Sequence, residues 1–234
     1  MTFNEYLTLG LSGLALLVSV VSAVISFRQV RTEIREQLNE IVRELLKTQS
    51  EAALSSKNPK LASLARQGDA IIVGSGEIAT DIDCSVIADS FAMLGDLPRA
   101  AHYWQRAVDL SPSDFYRVMN KRGYAQFLFF TGQHELGRKF YREALEIYDV
   151  TTDFNKATNG FTYQMWYFSE ASSLSQSFSG AEDYYRQARG LFESISSIQW
   201  KRNVLSYLEN ARSQIASLTA DPAPNPNPPP GRPA

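Results

Sequence analysis

Few side chains in this sequence are suited to catalysis. Among 234 residues there is one cysteine, Cys84, and there are two histidines, His102 and His134. A lone thiol rules out an intrachain disulfide framework and a cysteine-rich zinc site. Two histidines leave little for a His-based metal centre or a Ser-His-Asp arrangement. Paired acids occur at Asp81 and Asp83 and at Asp149 and Asp153. Neither pair is joined by a nucleophile, a base or a metal-ligand cluster, so they are expected to be solvated loop acids. His134 stands in a turn beside Gly132 and Gln133, and His102 precedes Tyr103 and Trp104 on a helix; both read as surface side chains. Gly74, Gly76 and Ala79 match the loose dinucleotide-binding spacing, but that motif needs a preceding strand and a βαβ unit, and no second strand pattern follows. A helix ending at a glycine cap explains the same residues. No catalytic residue, cofactor site or metal site is assigned, and the chain is read as no enzyme. A formal net charge of −2 lacks the basic excess of a nucleic-acid binder.

The chain is strongly segmented. Tyr6 to Phe27, YLTLGLSGLALLVSVVSAVISF, is a run of 22 uncharged residues with apolar side chains on every face. As a helix it reaches about 33 Å, enough for the hydrocarbon core of a bilayer. A cleaved signal peptide would carry basic residues in front, and residues 1–5 have none. Arg28, Arg31, Arg35 and Arg43 follow the run, so the positive-inside rule places everything after Phe27 in the cytoplasm. Ala15, Ser19 and Ala23 form a small-xxx-small face through which two spans could pack.

Residues 28–57 continue as a charged helix without Pro or Gly up to Ser56. Ile34, Leu38, Ile41 and Leu45, spaced 4-3-4, mark one apolar stripe. The stripe suits either a short parallel coiled coil or a stalk packed on the domain behind it. Residues 58–80 form a linker helix and a glycine turn. The tail, 219–234, holds seven of the ten prolines and is expected to be extended and disordered.

Asp81 to Leu218 is read as one helical domain whose sequence repeats over roughly 81–195. Gly95, Ala100, Trp104, Ala107 and Pro112 lie at offsets 0, 5, 9, 12 and 17, after Ala88 and Phe91. A second copy lies 37 residues on at Gly132, Gly137, Tyr141 and Ala144, after Tyr124, Ala125 and Leu128, with Asp149 in place of the proline. A weaker third has Ala181, Tyr185 and Ala188 after Phe168 and Ser169. The spacing describes helix hairpins: small residues let two helices approach, and aromatics fill the space between hairpins. It resembles the tetratricopeptide repeat. The fold expected is all-α: one transmembrane helix and a stalk, then a tetratricopeptide-like α-solenoid of about three hairpins closed by a helix over Trp200–Leu218.

The resemblance implies a concave groove, lined by the first helix of each hairpin, that binds a protein or peptide partner. Carried over by position, the groove is Asp89 and Met93; then Arg122, Gln126 and Phe129; then Tyr163, Trp166 and Glu170. Ser85, Ala92, Phe130 and Ser173 flank it. The Lys and Asn pairs with which chaperone-binding members hold a C-terminal carboxylate are absent, which leaves Arg122 to receive one. For the aromatics, simple core packing competes with a groove role. The expected function is that of a membrane-anchored, noncatalytic adaptor or scaffold. Two alternatives have the same fold: an envelope or exported assembly factor of reversed topology, and a structural homo-oligomer held by span and stalk.

Overall fold

The computed structural model describes residues 3–51, 58–75, 78–172 and 178–219; for 3–21, 23, 178–179 and 218–219 it describes the backbone alone. Among the described residues there are nine α-helices and no strand, so the fold is all-α. The chain divides into two units, Met1–Leu110 and Ser111–Ala234. The linker at 52–57, Ser173 and the tail beyond residue 219 lie outside the described residues.

The first unit contains α1 (Phe3–Glu51), α2 (Pro59–Ser75), α3 (Asp81–Met93) and α4 (Leu97–Asp109). Helix α1 runs unbroken through the predicted span and into the stalk. Among the described residues no helix is long and apolar enough to cross a membrane. The predicted span, 6–27, falls mostly on the part of α1 whose side chains lie outside the described residues. Where side chains are described, Val24, Ile25, Phe27 and Val30 are exposed.

The stalk stripe is partly buried inside the chain, with Ile34 and Ile41 half-buried. Leu38 and Leu45 are fully buried and Val42 nearly so, with α2 and α3 packed on α1. Leu38 and Leu45 are thereby unavailable to a coiled-coil seam, because the neighbouring helices already cover them. Helix α2 comes close through Gly68, where an added Cβ would lie 2.8 Å from Ile87 Cδ1. Residues 71–73 are helical rather than a strand, which removes the context a dinucleotide loop requires.

Asp81 and Asp83 are not solvated. Both are buried, and Asp83 joins Thr80 in a capping box at the start of α3. Arg35 Nη1 donates to Asp83 and, at 3.2 Å, to the Ile78 carbonyl. Gln49 Nε2 donates to the Val86 carbonyl at 3.0 Å and to Ser90 Oγ at 2.8 Å. The stalk is therefore fixed to α3 by polar as well as apolar contacts. Cys84 lies in this core, and burial pushes its thiol up to about 12. A thiol reagent should react with Cys84 only after unfolding; fast labelling of the native chain would show that this core opens.

The second unit contains α5 (Asp114–Phe130), α6 (His134–Leu145), α7 (Asp153–Ser172), α8 (Phe178–Glu193) and α9 (Ile198–Thr219). Helices α5 with α6 and α7 with α8 form hairpins, as α3 with α4 does in the first unit, and α9 packs on α7 and α8. Gly95 and Gly132 both have φ of 78°, the left-handed conformation that glycine adopts at least cost. After each, the chain closes a Schellman motif: Asp96 N–H donates to the Phe91 carbonyl at 2.9 Å, and Gln133 N–H to the Leu128 carbonyl at 2.8 Å. The predicted fillers Phe91, Trp104, Leu128, Tyr141 and Tyr185 are all buried.

Gly137 marks the tightest approach of the α5–α6 hairpin. A Cβ there would lie 2.6 Å from Phe129 Cδ2 and 3.0 Å from the Ala125 carbonyl oxygen. The ring could turn aside, but the backbone oxygen cannot, so Gly137→Ala should destabilise the unit by about 1–3 kcal/mol, read as a lowered thermal midpoint. An unchanged midpoint would show that the hairpin separates freely. Asp153, read as a loop acid, instead accepts from the Ser196 and Ser197 amides and so ties the start of α7 to the start of α9. Asp149 does stay in its loop, where it accepts from Thr151 Oγ1 and Asn155 Nδ2.

Candidate functional site

The predicted groove residues fall in both units, Asp89 and Met93 in the first and the other six in the second. On α3, Asp89 is exposed and Met93 half-buried. Protein atoms crowd the Asp89 carboxyl although water reaches the residue, and this desolvation pushes it up to about 6.

In the second unit, α5, α6 and α7 bring together Arg122, Phe129, Tyr141, Trp166 and Glu170. Tyr141 and Trp166 stack at 5.4 Å, and Trp166 and Tyr184 at 4.1 Å. Tyr163, half-buried, extends the stack to Tyr184 at 6.3 Å. The Tyr141 hydroxyl pairs with Ser169 Oγ at 2.8 Å.

Glu170 is held within the fold. Arg138 donates to both its oxygens, Nε at 2.7 Å and Nη2 at 2.8 Å, and Trp166 Nε1 donates at 3.1 Å. Burial by itself would raise this carboxyl, but the Arg138 and Trp166 hydrogen bonds outweigh it and hold it below the usual glutamate value. Glu170 and Trp166 thus act first as a clamp between hairpins, and little of either is left for a ligand. Phe129 is a core side chain as well: it packs over Gly137, stacks on His134 at 5.3 Å and lies under the Arg138 guanidinium. His134 is accordingly half-buried rather than free on the surface, whereas His102 is exposed. Gln126 is half-buried and Phe130 is 74% exposed.

Arg122 differs from the other charged members. Only 6% of it is exposed, and among the described residues no carboxylate pairs with it. Its Nη2 touches Met119 Sδ, while its buried Nε has no hydrogen-bond partner. Desolvation depresses its pKa to about 10. An unpaired buried guanidinium with a free donor is costly in a fold, and an incoming anion would relieve that cost.

The residues that complete this arrangement and escape a sequence reading are Arg138, Tyr184 and Met119. Arg138 directly follows the hairpin glycine Gly137, and its four-residue spacing from His134 marks a face of α6, but nothing local identifies Glu170, 32 residues away, as its partner. Among the described residues no group of three His, Cys, Asp or Glu side chains is placed to hold a metal ion. No family model, no curated protein and no solved structure matches the chain.

Proposed function

We propose that this chain is a membrane-anchored, noncatalytic adaptor whose tetratricopeptide-like hairpins, stacked as an α-solenoid, bind a protein or peptide partner, with Arg122 receiving an anionic group of that partner. Arg122, buried and with no carboxylate against it among the described residues, carries this reading. A fold without a ligand gains nothing from an uncompensated internal charge, whereas a binding site gains a strong, directional contact from it. Half-buried Gln126 and Tyr163 and exposed Phe130 supply polar and aromatic surface in the same unit. The anchor is supported by the 22-residue uncharged run and by the single helix that carries it into the stalk. The arginines after the run favour a cytoplasmic position for both helical units. Burial of the 38–45 stripe inside the chain weighs against an oligomer built on the stalk.

The test uses the detergent-solubilised full chain and a displayed peptide library with free C-terminal carboxylates. Arg122→Gln should weaken selected peptides at least about tenfold, since a hydrogen-bonded ion pair contributes about 1.5–3 kcal/mol. Equal affinity in a variant that retains its helical spectrum would eliminate the assignment.

A further inference from the structure

We infer that an aromatic patch at one end of the second unit is the docking site of the chain's own proline-rich segment, residues 221–233, with Pro228, Pro229 and Pro230 on the rings and Arg232 at Asp149. Neither Arg122 nor the membrane anchor enters into this contact.

The patch is continuous. Phe115, Tyr116 and Phe154 are 38%, 39% and 45% exposed. The first two lie in the first turn of α5 and the third in the first turn of α7. Tyr148, half-buried, stands in the loop before α7. Ring centroids are 5.6 Å apart for Phe115 and Tyr116, 5.7 Å for Phe115 and Phe154, and 5.9 Å for Tyr148 and Phe154. The rings meet at 75°, 42° and 84°, so the patch shows faces and edges rather than one flat stack. Exposed aromatic side chains are what a polyproline II segment docks on, because its rings are apolar and its backbone is already ordered.

Charge at the patch favours a cation. Asp114 is paired with Arg117, and Asp153 with Lys156. Asp149, next to Tyr148, has no cation against it among the described residues. Hydrogen bonds from Thr151 and Asn155 hold its carboxyl below the usual aspartate value, so it stays charged. The segment supplies the complement: residues 221–233 read Asp-Pro-Ala-Pro-Asn-Pro-Asn-Pro-Pro-Pro-Gly-Arg-Pro, with Arg232 as the one cation, just after three consecutive prolines.

The length of the segment fits as well. Asp153 accepts from the Ser196 amide at 2.9 Å, and Gln164 Nε2 donates to the Tyr207 carbonyl at 3.5 Å. The two ties advance equally along α7 and α9, so these helices run parallel and start at one level. Helix α9 has 22 residues and is about 33 Å long. Residues 220–230 in a polyproline II helix cover about 34 Å. Running back from Thr219, they bring Pro228, Pro229 and Pro230 to the level of Phe154, and Arg232 to Asp149 in the loop before α7. So short a tether gives a local concentration on the order of 1 mM, at which a weak contact suffices.

The experiment measures the distance between nitroxides on Ser113→Cys and Ala234→Cys by pulsed electron spin resonance, in the detergent-solubilised full chain carrying Cys84→Ala. Ser113 is exposed, and its side chain makes no cap hydrogen bond. The expected result is a narrow distribution at about 20 Å holding at least half of the molecules; an undocked segment gives a broad one centred at about 40 Å. Pro228→Gly, Pro229→Gly and Pro230→Gly together, which leave the helices untouched, should move the distribution to the broad form. Phe115→Ser with Phe154→Ser should do the same while the helical spectrum is retained. A broad distribution in the parent chain overturns the docking, as does a short distance that survives either set of substitutions. A short distance lost on mixing with excess unlabelled chain would give the patch to the segment of a second copy and also overturn it.

Discussion

Arg138→Met is expected to destabilise the second unit by about 3–5 kcal/mol, because it strands the Glu170 carboxylate in a buried site. Glu170 is 7% exposed and its two strongest donors come from Arg138. Trp166 Nε1 then faces a charge it cannot neutralise. The pH dependence supplies an independent check. In the parent chain Glu170 is held below its usual 4.5, so its contribution is present above that value and is lost as pH falls through the lowered one. In Arg138→Met, burial dominates and the folded-state value rises above 4.5, so the variant gains stability relative to the parent as pH falls towards 5. Thermal midpoints of both proteins from pH 8 to pH 4 should converge. Parallel curves would mean that the ion pair contributes no net electrostatics. The double variant Arg138→Met, Glu170→Met should recover much of the loss, since an apolar pair of similar volume often replaces a buried ion pair without cost.

Arg122→Met is expected to act in the opposite direction. Depression of the guanidinium to about 10 corresponds to about 3 kcal/mol of unfavourable transfer for the charged form. An unbranched apolar side chain of similar length removes that cost and packs on Met119 and Tyr141, with an expected gain of about 1–3 kcal/mol. The same substitution should abolish binding of anionic peptides. Higher stability with lost binding is the signature of a functional site maintained at the expense of the fold. A loss of stability would instead identify Arg122 as a structural cation and remove the reason to call it a receptor. Arg122→Lys separates charge from geometry: it keeps the charge but loses the planar fork, so a bidentate anion should bind it weakly.

Much of the hairpin architecture was legible in the sequence. The glycines at 95 and 132 appear where the second helix of a hairpin begins because a left-handed residue is needed there. Small residues at 100 and 137, with large ones four residues on, record how closely two helices approach, which is a local, periodic property. The acids at 81, 83 and 153 were misread because their partners are distant in the chain: Asp83 is paired by Arg35, and Asp153 accepts amides at 196 and 197. The stalk stripe was found, but its partner was left between a second copy and the domain behind it; packing by α2 and α3 covers Leu38 and Leu45 of it.

The candidate site divides along the same line. The types and positions of Arg122, Trp166 and Glu170 came from repeat spacing alone. Which of them remains available did not, because a charge is satisfied by whatever lies within about 3 Å in space and not by its neighbours in sequence. The tertiary structure gave Glu170 to Arg138, turned Phe129 into the cushion over Gly137, and left Arg122 buried with no acid against it among the described residues. The sequence by itself determined the helices, their turns and the long apolar run, since these depend on backbone preference and periodicity. Pairing, burial and the unpartnered Nε of Arg122 among the described residues were decided by three-dimensional proximity.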